Sequence, residues 1–211
     1  MDDLVVTAAG SVTDADLATA RLGSRFGRLE LLSQLSLLAV ESLGLDFDAL
    51  PRDRIGICLA ARAGSLPTDF EYWKGRHIVG GLSPTLFAYT LPSAPIGEIA
   101  IRHRLTGPNL CFVGGDSLVM SEAADLIRRG EADGCVCVYC DLVTAPVGEM
   151  IRAEPVARAW ALFLARGSDG LLVLGEKNRD MKSVCTLVCA RKSASPPGHE
   201  RITKGTENQN H

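Results

Sequence analysis

"GPNLCFVGGDSLVMSEAADLIRRGEAD", residues 107–133, is the stretch on which the fold turns. The run Leu110, Cys111, Phe112 and Val113 lies between Gly107-Pro108 and Gly114-Gly115, which reads as a short strand bounded by turn residues. Past the glycines, Val119, Ala123, Leu126 and Ile127 recur at helical spacing and give one apolar face. Arg128 and Arg129 put positive charge in the last turn, where it suits the helix dipole, and Gly130 stops the helix. Strand, tight turn and helix in this order can present a nucleophile at a helix N-terminus, where backbone amides lower a thiol pKa. Here the turn holds Asp116 and Ser117, and the nearest cysteine, Cys111, sits back inside the strand.

Working outward, the pattern predicts a strand over 4–9 ("LVVTAA") and a helix over 25–43, ended by Gly44. A second strand follows over 54–62 ("RIGICLAAR"). Residues 63–95 carry many Gly and Pro together with Tyr72, Trp73, Phe87 and Tyr89, and read as a long irregular connection. A short helix over 96–104 leads into the quoted stretch. The strand "GCVCVYCDLV" after it is apolar on both faces, as a central strand covered by helices must be. "ARAWALFLAR" and "GLLVLGE", separated by Gly167-Ser168-Asp169-Gly170, read as a hairpin. "SVCTLVCA", within 176–190, suggests a further edge strand, and 191–211 a disordered tail. The whole is an α/β order with a mixed, mostly parallel sheet covered by helices.

The 211 residues can bury one substantial core. A net charge of −3 without blocks of like charge argues against a grip on nucleic acid. No apolar run is long enough to span a bilayer and the N-terminus has no basic flank, so a cytoplasmic protein is expected. Seven cysteines then read as reduced thiols. Alternation on a strand sends Cys135 and Cys137 to one face and Cys140 to the other, so they do not converge on a metal ion. Neither a metal nor a cofactor is expected.

With these elements in place, "LVVTAAG", "PRDRIGICLAA", "SPTLFAYTLPSAPIGEIAIRHRLTGP", "AADLIRRGEADGCVCVYCD" and "WALFLARG" together resemble the N-terminal half of a β-ketoacyl synthase, in the thiolase-like superfamily. The resemblance runs in order over residues 1–175 and implies a thiolase-like half. In that family a cysteine at the start of the helix is acylated from an acyl carrier protein or acyl-CoA. Aligned through "AADLIRRGEAD", this chain places Gly115, Asp116 or Ser117 near that thiol's position. The family's remaining catalytic groups lie in a C-terminal half, and His103, His199 and His211 match none of them by context.

The candidate nucleophiles are therefore Cys111 and Ser117, with Asp116 beside the serine. Asp116 or Ser117 as helix cap is the simpler reading. Arg102, His103 and Arg104 form a candidate patch for an acidic carrier protein. The resemblance implies dimerisation through the strand before the turn, here Leu110, Cys111, Phe112 and Val113. The function that follows is a non-catalytic partner subunit in fatty-acid or polyketide assembly, paired with itself or with a ketosynthase-like chain and resembling a chain-length factor. The alternatives are an acyltransferase or thioesterase-like enzyme using Cys111 or Ser117, and a stand-alone acyl-chain binding module.

Overall fold

In a computed structural model, which describes residues 3–77, 82–167, 170–173 and 180–194, strands and helices alternate along the chain. The order is β1 (Leu4–Thr13), α1 (Asp14–Thr19), α2 (Leu31–Glu41), β2 (Ile55–Ala61), α3 (Leu66–Lys74), α4 (Pro84–Ala88) and α5 (Ala94–His103). It continues with β3 (Asn109–Val113), α6 (Ser117–Arg128), β4 (Gly134–Val143), α7 (Ala145–Ile151), β5 (Val156–Arg166), β6 (Leu172–Val173) and α8 (Met181–Ala194). One sheet holds all six strands in the order β3-β2-β4-β5-β1-β6. β2 pairs in parallel with both β3 and β4, while β5 is antiparallel to β4 and β1, and β6 to β1. Strands β1 to β4 thus share one direction, and the sheet is mixed, with a parallel core β3-β2-β4 continued by antiparallel pairings.

β2 and β4 are buried at every position, which explains why their sequences lack polar alternation. One face packs against α2 and α5 through Leu35, Val40, Ile57, Leu59, Ile99 and Val138. The other packs against α6 and α8 through Val119, Ala123, Ile127, Cys137, Val184 and Val188. Cys135 and Cys137 point to the α6 face and Cys140 to the α2 face. Each fully buried Val, Leu or Ile side chain is worth about 1.5–3 kcal/mol, so these two layers supply the main driving force.

The amino end of the parallel strands is tied tightly to α6. Arg54, just before β2, donates to the Gly130 carbonyl and to Asp133, both at 2.8 Å, and Arg166 donates to the Ile127 carbonyl. Arg166 thus meets the last carbonyls of α6 and opposes its dipole, while Arg54 holds the turn that follows the helix. Beyond the carboxyl ends of β2 and β4, α3 and α7 pack together around Ala63, Val143 and Val147.

Several expectations need correction. Residues 63–95 contain α3, α4 and the start of α5; Pro67, Pro84 and Pro95 sit in first helical turns, where proline starts helices rather than breaking them. The expected helix over 25–43 begins with a short 3-10 turn over Phe26–Arg28, and α2 proper starts at Leu31. β6 pairs with β1, not with β5, so no hairpin joins β5 to β6; Ser168, Asp169 and residues 174–176 lie outside the described residues. "SVCTLVCA" is helix, not strand: Met181, Val184, Cys185 and Val188 form a helical stripe buried on β1 and β5. The last turn of α8 extends over 191–194 of the expected disordered tail, whose remainder, 195–211, lies outside the described residues.

Candidate functional site

Among the described residues β3 is an edge strand, bonded only to β2. Its period of two divides the two faces: Leu110 and Phe112 pack toward the α6 layer, whereas Cys111 packs into the α2–α5 layer. The Cys111 thiol therefore faces away from the helix that would activate it, and burial raises its pKa, the reverse of nucleophile tuning. Val113, at the end of the strand, is 63% exposed.

The turn follows. Gly114 takes φ +127, a conformation that favours glycine, and its amide bonds the Ala61 carbonyl at 2.9 Å. Asp116 occupies the N-cap position of α6, but its side chain makes no capping hydrogen bond, and neither does that of Ser117. The expectation that one of them caps the helix is thus corrected. The reason is α8: the Lys182 amide donates to the Asp116 carboxylate at 3.4 Å, and the Asp116 carboxyl is hydrogen-bonded to that of Asp180. Burial and then this neighbouring carboxyl raise the Asp116 pKa, while the Ser183 hydroxyl bonded to Asp180 helps to lower that of Asp180. Ser117 is exposed at the first helical position, and among the described residues its hydroxyl is hydrogen-bonded to no base.

Next to the turn lies a charged cluster that sequence reading missed. Asp141, in the otherwise apolar β4, is 1% exposed. Its carboxylate meets Arg62 at 3.1 Å, Arg158 at 3.2 Å and Lys182 at 3.9 Å. A buried carboxylate is tolerable only with such partners. The register explains the convergence: Arg158 is the cross-strand partner of Asp141, and Arg62 directly follows β2, the parallel neighbour of β4. The signal available in the sequence was one acid inside "GCVCVYCDLV"; the partners depend on pairings that no local pattern reveals.

The residues of the expected carrier-protein patch lie at the other end of the sheet. Arg102 and His103 both meet Glu41, and His103 packs against Phe47 with ring centroids 4.3 Å apart and planes tilted by 42°. Burial lowers the His103 pKa, which favours its neutral form near pH 7. These two residues share a cavity of about 360 Å³ with Glu41, Asp46 and Asp48, so the surroundings are as acidic as basic. Arg104 is exposed in a left-handed conformation at φ 56. Since β2 and β3 run between this patch and the turn, the two are separated by roughly 20 Å. The structure does not bring them together.

The expected dimer strand stands beside further exposed apolar groups. A Cβ on Gly64 would lie 3.2 Å from the Val113 methyls and 3.7 Å from Pro92, so Pro92 and the last residue of β3 approach the same point beyond β2. Ser65 donates to the Thr90 carbonyl at 2.8 Å and fixes that approach. Between Gly64 and Pro92, Trp73, Phe87 and Leu91 are exposed, with Phe87 against Tyr72.

With this geometry in hand, comparison with known proteins gives a consistent picture. The family model for the β-ketoacyl synthase N-terminal domain matches residues 24–152, more than half of the chain. The chain belongs to that family. Among curated proteins none matches this sequence significantly. Among solved structures, the synthase-family chain is similar to the ishigamide ketosynthase/chain length factor, at TM-score 0.69 and 18% identity over 90% of this chain and 72% of that one. It is similar to a type II polyketide synthase acyl-carrier protein in complex with its ketosynthase bound to the hexaketide, at TM-score 0.67 and 19% identity over 79% of this chain and 63% of that one. A ketosynthase in complex with its chain length factor from Xenorhabdus doucetiae gives TM-score 0.59 and 17% identity, over 79% and 80% of the two chains. At these identities the likeness establishes the thiolase-like ketosynthase fold. Among the described residues no helix is long and apolar enough to cross a membrane, and no cluster of three or more His, Cys, Asp or Glu is arranged to hold a metal.

Proposed function

We propose that this β-ketoacyl synthase-family chain acts as a non-catalytic partner subunit in polyketide or fatty-acid assembly, pairing through β3 with a ketosynthase-like chain or with a second copy of itself. The observation that carries this reading is the turn before α6. Its cap position holds Asp116, engaged with α8; its one hydroxyl, Ser117, has no base among the described residues; and Cys111 faces the opposite layer. A nucleophile needs activation, and the turn offers none. The edge of β3 supports the pairing, because an exposed strand edge is a template for another strand, and Val113 and Leu118 add apolar surface beside it. The named neighbours include ketosynthases paired with chain length factors and one bound to an acyl-carrier protein, which makes such a partner and such a carrier the first to test. A cytoplasmic setting fits this role.

Two measurements test it. Intact-protein mass spectrometry after incubation with an acylated carrier protein or acyl-CoA is expected to show no adduct; an adduct abolished by Ser117→Ala or Cys111→Ala would instead make the chain an acyltransferase. Sedimentation of the chain, alone and with a ketosynthase, is expected to show a dimer that Val113→Asp weakens at least tenfold, about 1.4 kcal/mol. A chain that stays monomeric with both overturns the pairing.

A further inference from the structure

The charged cluster at the carboxyl ends of β2 and β4 holds more positive charge than Asp141 needs. Arg62, Arg158 and Lys182 surround one buried carboxylate, an excess of two charges. Arg62 uses only one terminal nitrogen on Asp141 and is half-exposed, as are Arg158 and Lys182. Two further acids, Asp116 and Asp180, lie beside Lys182 and offset part of that excess, which leaves Arg62 and Arg158 as the less compensated cations.

The cluster also has an aromatic floor. Tyr139 and Trp160 face each other across β4 and β5 with ring centroids 5.8 Å apart and planes inclined by 23°. Lys182 lies 4.8 Å from the Tyr139 centroid and 5.3 Å from that of Trp160, and Arg158 lies 5.0 Å from Trp160. Tyr139 is only 3% exposed, yet among the described residues its hydroxyl has no hydrogen-bond partner. Asp141, Asp116 and Arg62 are its charged neighbours. Burial pushes its pKa up to about 12, so the hydroxyl stays a donor at neutral pH. In α/β sheets this end of the strands is where ligands collect.

We propose that Arg62, Arg158 and Lys182, with the Tyr139 hydroxyl and the Tyr139–Trp160 floor, form a binding site for a small organic anion with a phosphate or carboxylate head and an apolar body. The guanidinium donors and the ammonium take the oxyanion in charge-assisted hydrogen bonds, and the rings take the body. Asp141 fixes the cations in place while also competing with the ligand for them. The site is independent of any acyl transfer at the turn and of β3 pairing.

The chain has two tryptophans, so a Trp73→Phe background leaves Trp160 as reporter. The Trp160 fluorescence is titrated with inorganic phosphate, phenyl phosphate and hexanoate, each against sodium chloride at equal ionic strength. A saturable change beyond the chloride control is expected, and whether the phosphates or hexanoate produce it identifies the head group. Arg62→Gln is expected to weaken binding about tenfold, the loss of one charge-assisted hydrogen bond, while Arg62→Lys, which keeps the charge, holds affinity within a few-fold and serves as the folding control. Asp141→Asn is expected to tighten binding, because the competing carboxylate is gone. A response equal to that of chloride for all three probes, or an Asp141→Asn affinity that falls as far as that of Arg62→Gln, overturns the site and leaves the cations as partners of Asp141 alone.

Discussion

At the amino end of the parallel strands Gly107 lies against the backbone of Ile55, whereas at the carboxyl end Gly114 and Gly115 look into open space. A Cβ at Gly107 would stand 2.3 Å from the Ile55 carbonyl oxygen and 2.6 Å from its carbon; at Gly114 or Gly115 it would meet nothing within 4 Å. One end is closed by contact between backbones and by the cations at the end of α6 and on the turn that follows it. The other is an open turn beside a set of half-exposed charges. The same residue type thus serves packing at one end and chain reversal at the other.

The largest expected effect comes from breaking the closed end. In Gly107→Ala no flexible side chain can yield, because the obstacle is backbone, so β2 and the approach to β3 must separate. We expect a loss of about 3 kcal/mol or more, at the upper end of the cost of overpacking, read as a lower midpoint in urea unfolding. Full stability in this variant would mean that the two backbones are farther apart than described.

A smaller loss is expected at the open end from Gly114→Ala. Space is free there, but φ +127 is a conformation that side-chain-bearing residues rarely adopt. The cost is strain alone, about 1–3 kcal/mol, and it falls on the turn without loosening β2 from β3. Hydrogen exchange distinguishes the two variants: Gly107→Ala is expected to deprotect β2 and β3 together, and Gly114→Ala only the start of α6.

How much of this was legible in the sequence follows the same division. β2, β3, β4 and α6 could be read because apolar runs and helical spacing are local signals, and Arg128 and Gly130 marked the end of α6 as expected. The carboxyl end was not legible. Asp116 was read as a cap because caps are local, yet its carboxyl is taken by Asp180 and by the Lys182 amide from a helix read as a strand. The β-branched and cysteine residues of "SVCTLVCA" favoured strand by propensity, and burial on β1 and β5 overrode that preference. Asp141 stood out in its strand, but its three cations come from three separate segments.

The Asp116–Asp180 contact sharpens the contrast by a pH-dependent effect, smaller than either glycine loss. Asp116 has a raised pKa, so its contribution to stability is complete below the ordinary carboxylate value of about 3.9 and is lost as pH rises through the raised value. Asp180 is lowered, so its contribution is present above about 3.9 and is lost as pH falls through its lowered value. At pH 7 two carboxylates then oppose each other at the start of α8. Asp116→Asn, which stays neutral and can donate to Asp180, is expected to raise the thermal midpoint at pH 7 and to show little difference from the parent near pH 4. Hydrogen exchange in α8 is expected to slow in step. A gain that persists unchanged at pH 4 would mean that the two carboxyl groups do not share a proton.

The smallest effect is expected from Gly115→Ala, one residue from Gly114 and eight from Gly107. Nothing stands within 4 Å of the added methyl, and unlike Gly114 this glycine is not in the left-handed region. Alanine also loses less chain entropy on folding than glycine, which offsets any local cost. Stability is therefore expected to change by no more than about 0.5 kcal/mol, with either sign. Set against Gly107→Ala, it is the same chemical change placed at the two ends of one strand-turn unit. A large loss at Gly115 would require the turn to be covered by something that the chain alone does not supply, such as a second subunit seated over the start of α6.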